Sequence, residues 1–192
     1  MQVEMAAEAL ARVEETDPLV ALIREGDRRE AAAGCARLHG AAIGRLCMAM
    51  LGSQAEAEEA TQDVLLAAHD AFASFRGDGT VRAWLFGIAR RVCARRLETR
   101  VRQERRLRLA HDADADAGRP DDLVAAHRRA EHVRGALEKL RPSEREALLL
   151  HYEAGLSYAE IGVACGIDEA AARKRASRAL ARLGEVLGNG AE

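Results

Sequence analysis

The sequence predicts an all-α protein of two small helical domains joined by a flexible acidic linker, with a helix-turn-helix in the second domain. Three observations carry that expectation. Hydrophobic residues make up 48% of the 192, yet aromatics are only 3% and three prolines interrupt the chain. Ala, Leu, Arg and Glu, which dominate instead, lose little on entering a helix, while β-branched residues are scarce. Apolar residues recur at helical spacing through both halves. Between the halves, HDADADAGRPDD at 111–122 holds no large apolar residue and reads as a linker. The expected domains are therefore 17–110 and 123–188.

The elements follow in order. Asp17-Pro18 is a helix start, an N-cap acid with proline at the first helical position, and predicts a helix from about Leu19 to Arg29. A second apolar-periodic stretch spans about Ala31 to Leu51 and stops at Gly52. Ser53-Gln-Ala-Glu56 has the spacing of a capping box and opens a third helix toward Phe75. Arg76-Gly-Asp-Gly-Thr80 is a tight polar loop. A fourth helix starts near Val81, with Trp84, Leu85, Ile88, Val92 and Leu97 as its core-facing stripe. After the linker, a helix from Leu123 ends at Leu140. Ser143-Glu-Arg-Glu146 and Ser157-Tyr-Ala-Glu160 are two more capping boxes, and Asp168 is placed to cap a last helix running to about Leu187.

The formal net charge of −2 conceals blocks of opposite sign. Ser53 to Asp70 holds five acids and no Lys or Arg; Val81 to Leu109 holds ten arginines against Glu98 and Glu104. Ala172 to Arg182 carries Arg173, Lys174, Arg175, Arg178 and Arg182 with no acid. Two basic blocks suit a polyanion, and an acidic block suits a basic protein surface. No apolar run approaches the ~18 residues of a membrane span, and no signal-peptide pattern opens the chain, so no stable membrane insertion and a cytoplasmic, reducing location are expected. The four cysteines lack CxxC spacing. Cys35 and His39 stand at i and i+4, half of a metal site or simply two core residues, the core reading being favoured. No Walker loop, HExxH or GxSxG is present, so no enzyme activity and no cofactor are expected.

The sharpest motif is the last one. A short helix at about Tyr158–Ala164, a turn at Cys165-Gly166-Ile167 and a longer basic helix make a helix-turn-helix. Ala170, Ala171 and Ala172 keep the second helix slim at its start, Arg173, Lys174, Arg175 and Arg178 supply donors for phosphates and base edges, and Ile161, Ile167, Leu180 and Leu183 are left for the core. The arginine-rich fourth helix is a weaker signal. Trp84 beside the Arg76–Thr80 loop suits capture of unstacked bases, though core packing is the favoured role.

Two long stretches resemble a known family. Glu58-Glu59-Ala-Thr-Gln62-Asp63, Phe75-Arg76-Gly77 and Trp84-Leu85-Phe-Gly-Ile88-Ala89-Arg90 resemble the second conserved region of the extracytoplasmic-function sigma factors. ALEKLRPSEREALLLHYEAGLSYAEIGVACGIDEAAARKRASRALARL resembles the fourth. The resemblance runs from about Leu19 to Leu187. It implies a promoter-specificity subunit whose partners are core RNA polymerase (the β′ clamp and β flap), promoter DNA and an anti-sigma factor. Glu58, Glu59, Gln62, Asp63 and Leu66 match the surface that docks on the polymerase clamp. Arg76, Asp78, Thr80, Arg82, Arg90, Arg91 and Arg95 match the part that opens and grips the −10 element. Ser157, Tyr158, Ala171, Arg173, Lys174, Arg175, Ser177 and Arg178 match the part that reads the −35 element, and the acidic linker matches the segment threaded toward the RNA exit path.

The chain departs from the family where Cys35 and His39 replace a common Tyr pair, Leu65-Leu66 replaces Thr-Phe, and Arg91 replaces Asn. Those changes leave the −10 preference open, and they leave open a metal- or redox-responsive variant built on Cys35, His39 and Cys47. A sigma mimic that binds only an anti-sigma factor would be expected to lack these basic residues. A repressor with a helix-turn-helix would leave the acidic and Trp84–Arg90 motifs unexplained. The free protein is expected to bind DNA weakly, because the linker and the acidic helix compete for the arginines.

Overall fold

The computed structural model describes residues 17–110 and 132–188, and every element in them is helical. Helix α1 is Pro18–Glu25, α2 is Arg28–Leu51 and α3 is Gln54–Ala71, followed by a 3-10 turn at Phe72–Ser74; α4 is Val81–Ala110. In the second half come α5 (helical residues 132–138), α6 (Pro142–Tyr152), α7 (Tyr158–Cys165) and α8 (Glu169–Gly188). The linker at 111–122 and the start of the helix expected from Leu123 lie outside the described residues.

Local chemistry explains most boundaries. The Asp17 carboxylate accepts from the Leu19 amide at 2.9 Å with Pro18 at the first position of α1. The expected first helix is too long: Gly26 takes the left-handed conformation at φ 81° and ends α1, and Asp27 caps α2, so α2 begins at Arg28 instead of Ala31. Gly52 ends α2 in the same way at φ 76°. Helix α3 stops at Ala71 because the chain tightens to a 3-10 turn before Phe75.

Of the three expected capping boxes, one forms reciprocally. Ser157 accepts from the Glu160 amide while Glu160 accepts from the Ser157 amide at 3.0 Å. At Ser53 only the forward bond exists, since the Glu56 carboxylate is drawn to Arg100. At the third, α6 starts two residues earlier, at Pro142 with Arg141 as its N-cap, and the Glu146 carboxylate reaches Arg90. Charged partners on neighbouring helices outbid the backbone because a carboxylate–guanidinium bond is the stronger of the two.

The first half packs α1, α2, α3 and α4 around Leu19, Ile43, Leu46, Val64, Leu85 and Phe86; the second packs α6, α7 and α8 around Leu150, Leu156 and Ile161. Each such large apolar side chain contributes ~1.5–3 kcal/mol by leaving water. The two halves also touch: α4 lies against α7 as closely as against α2 and α3. More of α4 is buried than the expected stripe. Phe86, Ala89 and Cys93 are fully buried beside Leu85 and Ile88, whereas Trp84, Val92 and Leu97 are only partly so. Trp84 stacks on Phe72 at 5.8 Å and meets the edge of Phe75 at 5.4 Å, a packing role.

Two core expectations on α8 need correction. Leu180 is 50% exposed, because the inward face of α8 is defined by Ala172, Ala176 and Ala179, and Leu180 falls one residue off it. Ala172 is accordingly a buried core residue and not part of a slim outer surface. Ile167 and Leu183 pack partly against the core.

His39, half-buried on α2, gives the first expected result. Burial holds its imidazole below the ordinary value, Arg82 pushes it lower, and Asp17 and Glu160 act in the opposite direction. The folded state therefore favours the neutral ring. Its contribution is complete above the unfolded value of ~6.5 and is lost as pH falls through the lower folded value. Thermal melts of the wild type should drop between about pH 7 and pH 5 by more than those of His39→Gln. Parallel acid limbs would remove His39 from the account.

Candidate nucleic-acid interface

Acidic, apolar and basic residues are sorted onto separate faces. On α3, Glu58, Glu59, Gln62, Asp63 and Leu66 are all exposed, and their spacing puts them on one side of the helix, opposite the buried Ala57, Ala60, Val64 and Ala68. Leu66 is 65% exposed, a large apolar side chain in the middle of carboxylates. Part of this acidic face is engaged from α4: Arg96 bonds Glu59 at 3.1 Å and Asp63 at 2.5 Å, and Arg100 pairs with Glu56.

The loop after α3 and the first turns of α4 carry the residues expected at the −10 element, and the structure divides them. Arg76 and Asp78 are exposed in the loop, and Arg91 and Arg95 are exposed on α4. Arg91 is held below the ordinary guanidinium value by partial burial and by its neighbours Arg90 and Arg95. Such a crowd of like charges is relieved by a polyanion.

Thr80, Arg82 and Arg90 are instead occupied by the second half. Thr80 donates to Glu160 Oε1 at 3.2 Å. Arg82 donates to the carbonyls of Ala154 at 2.6 Å and Gly155 at 3.0 Å and lies 3.7 Å from Glu160. Arg90 donates to the Ala164 carbonyl at 2.8 Å and pairs with Glu146 at 3.0 Å. Gly87 permits the approach, because a Cβ there would stand 3.2 Å from the Ala164 carbonyl oxygen. The sequence reading missed Glu146 and Glu160 as partners of these arginines. Their capping-box spacing was the only signal, and it points to local bonds.

In the helix-turn-helix, Gly166 makes the turn at φ 67°, and the Asp168 carboxylate accepts from the Ala171 amide at 2.6 Å. Gly162 is needed for closeness, since a Cβ there would meet the Ile167 carbonyl at 2.8 Å. Arg173, Lys174, Ser177 and Arg178 are exposed along one face of α8, while Arg175 and Ala171 are half-buried to its side. The Ser157 hydroxyl is taken up in the cap of α7. Tyr158 stacks on His151 at 4.5 Å, and the Arg173 guanidinium lies over the Tyr158 ring at 5.0 Å. Arg173 also bonds Glu169 at 2.6 Å. The arginine is thereby held pointing outward before any ligand arrives.

This geometry agrees with what related sequences report. A Sigma-70 region 2 family model matches residues 35–106, and a Sigma-70 region 4 model matches residues 131–183. The "Probable RNA polymerase sigma-C factor" of Mycobacterium bovis is 35% identical over 137 residues, 69% of this chain and 70% of its own. The chain belongs to the extracytoplasmic-function sigma factors. The sigma factor EcfG of Rhodopseudomonas palustris is 31% identical over 145 residues, covering 73% of this sigma factor and 76% of EcfG. Among solved structures, CnrH in complex with the cytosolic domain of CnrY superposes with a TM-score of 0.65 at 25% identity, covering 89% of this chain and 96% of that one. RpoE bound to the anti-sigma factor NepR from Bartonella quintana gives 0.60 at 26% identity, covering 80% and 94%.

As a sigma factor the protein is not an enzyme; it directs core RNA polymerase to initiate transcription at particular promoters. No described helix is long and apolar enough to cross a membrane. Among the described residues no group of three His, Cys, Asp or Glu could hold a metal, so Cys35 and His39 find no third ligand there. Burial beside Asp17 pushes the Cys35 thiol up to about 11, which disfavours the thiolate a metal needs.

Proposed function

We propose that this sigma factor docks on the polymerase clamp through Glu58, Glu59, Gln62, Asp63 and Leu66. Arg76, Asp78, Thr80, Arg82, Arg90, Arg91 and Arg95 engage the −10 element, and Ser157, Tyr158, Ala171, Arg173, Lys174, Arg175, Ser177 and Arg178 engage the −35 duplex. Residues 17–110 and 123–188 act as the two reading domains and 111–122 as the spacer threaded toward the RNA exit path, in the cytoplasm. The observation that carries this reading is the separation of faces: an exposed acidic strip with one large apolar residue on α3, against exposed donors on α4 and α8.

In the free protein the two domains are closed on each other. Thr80, Arg82 and Arg90 are satisfied by α6, α7 and the loop between them, so the −10 surface is half engaged before DNA arrives. Polymerase would separate the domains and release these residues. An anti-sigma factor would hold them silent, as NepR and CnrY accompany the relatives solved as complexes. The cleft between α4 and α6, about 600 Å³ and lined by Met50, Leu97, Val101 and Pro142, suits an apolar helix face from such a partner.

Transcription in vitro tests the assignment. Core polymerase, a pool of promoter fragments and this protein should give transcripts with fixed start sites. Reversing Glu59 and Asp63 to Lys should abolish them together with binding to core polymerase. Retained polymerase binding by that variant would move the docking face elsewhere.

A further inference from the structure

We propose that Cys47 and Cys93 form an oxidation site, closing to a disulfide that ties α2 to α4 when the protein meets a hydroperoxide. The two sulfurs lie 3.6 Å apart in the first domain's core, on helices distant in sequence, with both residues fully buried. A disulfide needs ~2.05 Å, so the sulfurs have ~1.5 Å to travel, within the reach of small side-chain rotations. Nothing in the promoter-reading mechanism uses either thiol.

The surroundings assign the two roles. Cys47 is drawn below the ordinary thiol value, chiefly by the hydrogen bond from Cys93 and then by Thr61 and Arg96, against burial. Cys93 is pushed strongly upward by the same bond and by burial. With Thr61 and the groove it borders on its side of the pair, Cys47 is assigned as the attacking sulfur and Cys93 as the resolving one. Burial pushes Cys165 up to about 11, like Cys35, and neither has a sulfur partner. A groove of about 580 Å³ between α2 and α3, lined in part by Gly44, Met48, Ala57 and Thr61, supplies the approach. Thr61 borders this groove, donates to the Ala57 carbonyl at 2.7 Å and favours the Cys47 thiolate, so the groove runs toward the Cys47 side of the pair.

The chemistry balances with the hydroperoxide as oxidant. The Cys47 thiolate attacks the terminal peroxide oxygen, the O–O bond breaks, and the leaving oxygen takes a proton to become alcohol or water. The Cys93 sulfur then attacks the sulfenic sulfur; the S–S bond forms, the S–O bond breaks, and hydroxide leaves with the Cys93 proton as water. Two thiols are oxidised and one hydroperoxide is reduced. The bond would span 46 residues of chain and restrict the unfolded state accordingly.

The test is hydrogen peroxide on the reduced full chain, followed by thiol alkylation, proteolysis and mass spectrometry. Expected are a linked Cys47–Cys93 peptide pair, free Cys35 and Cys165, and a first-domain Tm raised by about 10 °C and restored by dithiothreitol. Cys93→Ser should instead accumulate a dimedone-reactive sulfenic acid at Cys47. The proposal is overturned if both thiols stay alkylatable at peroxide levels that oxidise free glutathione, if another pair links, or if oxidation lowers Tm.

Discussion

Gly87→Leu is expected to open the molecule and raise the free protein's affinity for single-stranded −10 DNA by about 5- to 150-fold. The three atoms nearest a Cβ at this position all belong to Ala164 on α7, across the domain contact. A leucine there intrudes on a backbone, which cannot rotate away. Overpacking of that kind costs ~1–3 kcal/mol, roughly 5- to 150-fold in an opening equilibrium. When the domains are apart the same position faces solvent, where leucine favours helix α4 over glycine by somewhat less than the ~0.8–1.0 kcal/mol that separates glycine from alanine. The variant should thus keep a folded first domain, show a larger radius of gyration by small-angle scattering, and bind a −10 oligonucleotide more tightly. Gly87→Ala should act in the same direction and more weakly. An unchanged radius of gyration would mean that the closed arrangement does not limit DNA access.

Arg173→Ala is expected to cut promoter-directed transcription by about 10- to 100-fold and relax sequence preference at one position of the −35 element. A guanidinium that reads a base edge bidentately is worth ~1–3 kcal/mol of discrimination. Arg173 is prepared for that role by the Tyr158 ring beneath it and by Glu169 one turn back. Tyr158→Phe should then keep most of the activity while Tyr158→Ala reproduces part of the loss with the guanidinium still present, because the arginine must be ordered on binding. Core polymerase binding should stay intact in both. A uniform loss across all −35 sequences, with a shallower salt dependence, would mark Arg173 as a phosphate contact instead.

How much of this was legible depends on whether a residue's partners are local. The Asp17 cap, the Ser157–Glu160 box, Gly166 in the turn and Asp168 on α8 all act within a few residues, and their spacing announces them. Family motifs in the right order placed both halves, and the same resemblance named the exposed residues of α3 and most of those on α8. Misreadings arose where a side chain reaches across the fold. Glu146 and Glu56 have capping-box spacing yet bond Arg90 and Arg100. Phe86 lies off the expected stripe of α4 yet is fully buried, and Gly87 and Arg90 meet Ala164 of the second domain, a neighbour that no pattern within α4 records. Leu180 failed for a subtler reason: the inward face of α8 is built from alanines, so the larger residue nearby drew the core assignment.

The two oxygens of Glu160 divide their duties. Oε2 accepts from Ser157 and holds the start of α7, with Arg82 of the other domain 3.7 Å away, while Oε1 accepts from Thr80. Separation of the domains breaks the contacts with Thr80 and Arg82 and leaves those with Ser157, so the helix-turn-helix keeps its own scaffold intact while its neighbour departs. The contact therefore behaves as a clasp and not as a weld. An opening driven by polymerase would leave no helix to be rebuilt at either end of the cycle.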